Sequence, residues 1–271
     1  MKREGAAIVA LAIIALAPPA LAAGPLIAAH RGGAGLWPEN SLLAFRNAIA
    51  LGVDALEFDL HLTRDGEVIV IHDPTLDRTT TASGRVRDRT LAEIRSARLK
   101  TRDGDATAER VPTLAEVLDL ARASSVELLP EIKVDASGQP YPGIEEKVVS
   151  LLHERDLHGR VTIQAFQADT IGRLRGLQPE IRTMFLVSRR RLERASPPDA
   201  VRWARDAGAS DLGMDFRVID AAVVAAARAA KIRLSAWTVN DEPDIRRMLD
   251  LGVDIIMSDR PDVARKLAGA P

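Results

Sequence analysis

Eight short β-favouring runs alternate with eight longer amphipathic stretches, and this predicts an α/β fold, a (β/α)8 TIM barrel with a small insertion after strand 2. Two further observations support that class. About 248 residues follow an N-terminal leader, enough for one large domain over 24–271. A single hairpin-like segment interrupts an otherwise regular alternation.

The chain opens with Lys2 and Arg3, an apolar run from Ala6 to Ala17, Pro18-Pro19 and the small residues Ala20-Leu21-Ala22-Ala23. This order predicts a signal peptide over 1–23, cleaved near Ala22 or Ala23, and an exported protein of the bacterial periplasm or medium. A dozen apolar residues fall short of the ~20 that span a bilayer, so no stable membrane insertion is expected. With no cysteine, the chain has neither a disulfide nor a thiol to carry a lipid, and its stability must come from burial or a bound ion. Charge is nearly balanced, 37 basic against 38 acidic residues, and losing Lys2, Arg3 and Glu4 changes the net by one unit. Nucleic acid is therefore not an expected partner. The one basic run, Arg189-Arg190-Arg191 with Arg194, reads as a solvated helix start.

The first strand, 26–29, leads to a helix from Ser41 to Leu51 and then to a strand over 54–60. Asp65-Gly66 signals a hairpin, so Glu67 to Ile71 is expected antiparallel and outside the barrel. The chain is then polar and turn-rich to Val111, with one amphipathic piece from Leu91 to Leu99. The insertion, about 67–111, reads as a subdomain or lid over the barrel mouth. Strands follow over 126–132, 161–165, 182–187, 210–214, 232–236 and 254–257. Between and after the strands run helical stretches from Thr113 to Ala123, Gly143 to Arg155, Ala168 to Leu177, Pro198 to Ala207, Ile219 to Ala229, Glu242 to Leu251 and Pro261 to Leu267.

Strand 2 carries the chemistry. Alternation puts Glu57, Asp59 and His61 on one face and Leu56, Phe58, Leu60 and Leu62 on the other. The apolar face belongs under the helices, so the polar face looks into the barrel. Two carboxylates about 6.5 Å apart along a strand are costly to bury unless a cation compensates them. Glu131 and Lys133 share a face at the C-terminal end of strand 3, the end at which barrel active sites lie. Glu57, Asp59 and Glu131 offer only oxygen and there is no cysteine, which favours Ca²⁺, Mg²⁺ or Mn²⁺ over Zn²⁺. A Glu131–Lys133 ion pair with a solvent-exposed Asp59 is the alternative. Of five histidines, His30 and His72 close strands beside these carboxylates, where a proton-transfer group belongs. His153 and His158 are expected at the surface.

In order along the chain stand Ala29-His30-Arg31-Gly32, Pro38-Glu39-Asn40-Ser41, Glu57-Phe58-Asp59, Thr63-Arg64-Asp65-Gly66, His72-Asp73 and Arg78-Thr79-Thr80. Pro112-Thr113-Leu114, Glu131-Ile132-Lys133, Trp237-Thr238-Val239-Asn240 and Ser258-Asp259-Arg260-Pro261 complete the series. This ordered set resembles the glycerophosphodiester phosphodiesterase family over essentially the whole chain after the leader. The resemblance implies hydrolysis of a small-molecule glycerophosphodiester to glycerol 3-phosphate and an alcohol. It also implies His30 and His72 as the acid/base pair and Glu57, Asp59 and Glu131 as ligands of a divalent cation. Arg31 and Lys133 would hold the phosphate, with Trp237 and Phe166 walling the substrate. The family more often has Thr at Ser41, and a Ser-Phe pair where this chain has Ala165-Phe166. A glycosidase-type barrel and a non-catalytic exported binder of phosphorylated head groups are the competing readings.

Overall fold

The computed structural model describes residues 24–269, so the signal peptide expected over 1–23 lies outside the described residues. Eight parallel strands close a barrel: β1 (Leu26–Ala29), β2 (Ala55–Leu62), then β4 (Glu127–Ile132), β5 (Thr162–Ala165), β6 (Arg182–Val187), β7 (Asp211–Asp215), β8 (Arg233–Trp237) and β9 (Ile255–Ser258). Closure is made by β1, which pairs with both β2 and β9. The strand β3 (Val68–Val70) runs antiparallel to β2, Leu60 opposite Val70, and stands outside the ring as the Asp-Gly turn predicts. Helices α1 (Leu42–Leu51), α3 (Leu114–Ala121), α4 (Ile144–Glu154), α5 (Ala168–Leu177), α6 (Asp199–Ala207), α7 (Ala221–Ala229), α8 (Glu242–Leu251) and α9 (Pro261–Leu267) alternate with the strands, while α2 (Leu91–Arg95) belongs to the insertion.

Local chemistry explains the boundaries. Ser41 caps α1 by accepting from the Ala44 N–H at 3.0 Å while donating to the Pro38 carbonyl at 2.7 Å, so serine serves where the family more often has threonine. Thr113 and Glu116 form a reciprocal capping box at the start of α3. The apolar face of β2 behaves as its alternation requires: Leu56, Phe58 and Leu60 are fully buried among Phe45, Leu118 and other side chains of the surrounding helices. The barrel interior is filled by Ala28, Ala55, Leu129, Met184, Leu186, Ile255 and Met257. Gly213 is part of that fit, since a Cβ there would stand 2.6 Å from Leu186. At the N-terminal end of the barrel, buried Asp211 pairs with Arg182 and, at 3.2 Å, with Arg233, which also reaches Glu127 at 3.1 Å.

The insertion has a core of its own, built from Ile69, Ile71, Leu76, Val86, Ile94, Leu99 and Val111. Its amphipathic piece is shorter than expected. The helix stops at Arg95, and Leu99 instead pairs across to Thr80 and exchanges backbone hydrogen bonds with Thr107 and Glu109. The basic run forms a single 3-10 turn, Arg189–Leu192, rather than the start of a helix. Its arginines are exposed as expected, but the Arg191 guanidinium also lies 5.0 Å over the Phe185 ring and 5.1 Å over Trp203.

Candidate functional site

The C-terminal ends of the strands converge on a cleft lined by His30, Arg31, Glu57, His72, Glu131, Lys133, Gln164, Phe166 and Trp237. Every residue that the sequence singles out for the site is within or beside it: Asp59, the one not lining it, lies directly behind, bonded to Lys133 and Arg31. Glu57 and Asp59 arrive two residues apart on β2, and Asp59 is in register with Glu131 of β4. One oxygen from each of Glu57, Asp59 and Glu131 lies within 4.8 Å of the other two, and all three residues are buried.

This trio is electrostatically incomplete. Burial, reinforced by the negative charge of Asp59, pushes the Glu57 carboxyl up to about 8. Burial raises Glu131 as well, against the pull of Lys133. Asp59 is also buried, but Lys133, His72 and Arg31 together hold it well below the usual carboxylate range. The Lys133 ammonium sits 3.2 Å from Asp59 and 3.0 Å from Glu131, so the ion pair of the alternative reading does form, but Asp59 is buried rather than solvent-exposed, and the one ammonium serves two of the three acids. Among the described residues, Glu57 accepts hydrogen bonds from the Arg31 backbone N–H at 2.8 Å and the Gln164 amide at 3.2 Å and from no Lys or Arg side chain. Three converging carboxylates, two of them driven towards protonation, fit a hard divalent cation of the Ca²⁺ or Mg²⁺ type.

The two histidines are built alike. His30 follows β1, where Arg31, Gly32 and Gly33 take successive left-handed conformations (φ 53°, 79° and 97°) that turn the chain sharply. A side chain at Gly32 would strike the Ala44 Cβ at 2.8 Å. His30 Nδ1–H donates to Asp259 Oδ1 at 2.6 Å, and Asp259 is steadied by the Asn240 amide at 2.8 Å. His72 Nδ1–H donates to Asp73 Oδ1 at 2.7 Å. In each ring the carboxylate fixes the tautomer and leaves Nε2 free, with His30 Nε2 3.8 Å from Glu57. Burial works against charge on His30, but Glu57 and Asp259 outweigh it and raise its pKa; on His72 burial prevails and lowers it.

A second tier holds these groups. Arg78, from the insertion, forks onto both Asp73 (2.7 and 3.0 Å) and Glu39 (2.8 and 2.8 Å), and Glu39 in turn accepts from Arg31 at 3.1 Å. Asn40 donates to Asp59 at 2.8 Å. His61, on the polar face of β2, acts as a brace instead. Its Nδ1 accepts from the Tyr141 hydroxyl at 2.8 Å and its Nε2–H donates to the His72 carbonyl at 3.0 Å. Burial drives it down to about 4, so it stays neutral. Phe166 and Trp237 meet edge to face, 5.8 Å between centroids, as one apolar wall. His153 is exposed and His158 partly so, away from the site.

No role for Glu39, Asn40, Asp73, Arg78, Gln164 or Asp259 is apparent from the sequence alone. All but Gln164 stand inside the family's motif strings, which are the only sequence signal they carry. Their partners lie up to 229 residues away, a distance no local pattern encodes.

The sequence model of the glycerophosphoryl diester phosphodiesterase family matches residues 30–263. A glycerophosphodiester phosphodiesterase of Bacillus subtilis is 34% identical over 257 residues, covering 89% of this chain and 86% of that protein. One of Caldanaerobacter subterraneus is 34% identical over 238 residues, covering 88% and 95%. Among solved structures, an Oleispira antarctica phosphodiesterase in complex with the product sn-glycerol-3-phosphate superposes with a TM-score of 0.77 at 26% identity, covering 91% of this chain and 98% of that one.

Proposed function

Because the chain belongs to the glycerophosphoryl diester phosphodiesterase family and is a phosphodiesterase acting on glycerophosphodiesters, we propose that it releases glycerol 3-phosphate and a free alcohol by metal-dependent acid/base catalysis with His30 and His72. The observation that carries this reading is the pair of Asp–His dyads facing one cleft, with three buried carboxylates between and beneath them.

Glu57, Asp59 and Glu131 would hold the divalent ion, which would supply Lewis-acid screening of the phosphate charge. The residues of the chain do the rest. Arg31 and Lys133 bring positive charge to the non-bridging oxygens of the diester, an anion that would otherwise repel its attacker. One imidazole takes the proton of the attacking oxygen as the new P–O bond forms. The other gives a proton to the alkoxide as the old P–O bond breaks, so the alcohol leaves neutral. Phe166 and Trp237 exclude water from the carbon face of the glycerol. Arg78 touches no reacting atom, but it holds Asp73 against His72 and Glu39 against Arg31.

The test is glycerol 3-phosphate release from glycerophosphocholine, glycerophosphoethanolamine, glycerophosphoglycerol and glycerophosphoinositol, before and after EDTA, followed by Ca²⁺, Mg²⁺ or Mn²⁺. Release that stops in EDTA and returns with one of the ions is expected. No release from any diester would overturn the reading, and activity indifferent to EDTA would remove the metal from it. Replacing Arg78 by methionine is expected to lower kcat about 10- to 100-fold, the usual cost of losing an outer-tier partner. Lysine should recover little, since it cannot fork. The Arg78 side chain is half exposed, so the melting temperature should scarcely move; kcat near wild type would show that the fork orients nothing.

A further inference from the structure

The catalytic cleft opens through His30, Arg31 and Thr238 into a second, larger lobe of about 450 Å³. One wall belongs to the barrel, where Trp37 and Glu39 stand. The other belongs to the insertion, which contributes Arg78, Thr79, Lys100 and Arg102. The acids lining this lobe are already engaged: Glu39 by Arg31 and Arg78, Asp259 by His30 and Asn240. Two cations are not. Lys100 gives its ammonium only to the Asp77 carbonyl at 3.3 Å, and Arg102 has no hydrogen bond or ion pair among the described residues. Thr79 lines the same wall.

We propose that this outer lobe is the subsite for the leaving alcohol, and that Lys100 and Arg102 select an alcohol that itself carries a phosphate. With the reacting phosphorus between His30 and His72 and the glycerol against Phe166 and Trp237, one way out of the cleft leads past Arg31 to these groups; the other, past His72 and Lys133 into a lobe of about 200 Å³ lined by Val134 and Asp135, brings no further cation. A quaternary ammonium entering the same lobe would meet uncompensated positive charge, whereas a phosphomonoester gains charge-assisted hydrogen bonds. The insertion is thus the substrate-selecting wall, and its length and composition set the head group. This inference rests on the phosphodiesterase reading.

A matched pair of substrates tests it: glycerophosphoinositol and glycerophosphoinositol 4-phosphate, assayed for glycerol 3-phosphate with the intact, metal-loaded enzyme at low salt. The phosphorylated substrate is expected to have the higher kcat/KM by about tenfold, with the ratio shrinking as salt screens the partly exposed cations. In the K100A/R102A double variant the ratio should collapse to about one. A wild-type ratio at or below one, or a ratio unchanged in the double variant, overturns the subsite while leaving the hydrolysis itself intact. No product from either substrate would overturn the phosphodiesterase reading, and the subsite with it.

Discussion

Replacing either His30 or His72 by alanine is expected to lower kcat/KM by about 10²- to 10⁴-fold, the range that positioned acid/base groups supply. Both rings are tethered at Nδ1 by a carboxylate and present Nε2 to the cleft, so neither loss is replaced by a neighbour. Their side chains, 15% and 30% exposed, contribute little to the core, and the variants should melt near the wild-type temperature. The double variant is expected to lose little more than either single one, because the two proton transfers serve one bond exchange. Glycerol 3-phosphate release with a thermal melt on the same preparations checks all three. A near wild-type rate for either single variant would remove that histidine from the mechanism.

Neutralising Glu57 as glutamine is expected to move activity and stability in opposite directions. Activity should fall roughly a thousandfold, since a cation that screens the phosphate supplies several kcal/mol and its site would have lost a ligand. Stability of the metal-free protein should rise, most visibly at high pH. Glu57 titrates from 4.5 when unfolded but about 8 when folded, so the folded state keeps a proton the unfolded state has released. Its contribution is complete below 4.5 and is lost as pH climbs towards 8. Glu131 and His30, both raised, act in the same sense. His72 and His61, both lowered, add stability as pH rises, but only up to 6.5, above which they are neutral in either state. Between about 6.5 and 8 the metal-free wild type should therefore lose roughly 1–2 kcal/mol. Saturating Ca²⁺ or Mg²⁺ should flatten that slope and raise the melting temperature. The E57Q variant should show a shallower slope, that of Glu131 and His30 alone, and less than the full response to ion. Urea unfolding at several pH values, with and without ion, measures both, and an identical slope in E57Q would disprove the linkage.

The alternation of β2 made its inward carboxylates legible, because a period of two sorts Glu57 and Asp59 from Leu56 and Phe58 without any knowledge of the neighbours. The order of strands and helices revealed the barrel for the same reason: each element advertises its own period. What stayed hidden depends on closure. Apart from its motif string, nothing around Asp259 distinguishes it from any acid after a strand until β9 is laid beside β1. Arg78 reads as one arginine in a polar stretch until the insertion folds over the mouth. His61 shares the face of Glu57 and Asp59 yet carries no charge, its ring enclosed beside Tyr141, 80 residues on. The insertion's own core was equally unreadable, because Leu76, Val86 and Leu99 are spaced by neither period and meet only through turns.

The pairing of β1 with β9 bears on when the enzyme can first act. During synthesis His30 emerges 229 residues ahead of its partner Asp259. A partly made chain can build β2, β3 and the insertion, and so the His72–Asp73–Arg78 half of the site, but its first strand must wait with one edge unpaired. Contacts of such sequence separation form slowly, and an unpaired strand edge is exposed to wrong partners while it waits. Catalytic competence is therefore a late event in the life of each molecule, and the onset of turnover during refolding is a direct clock for ring closure.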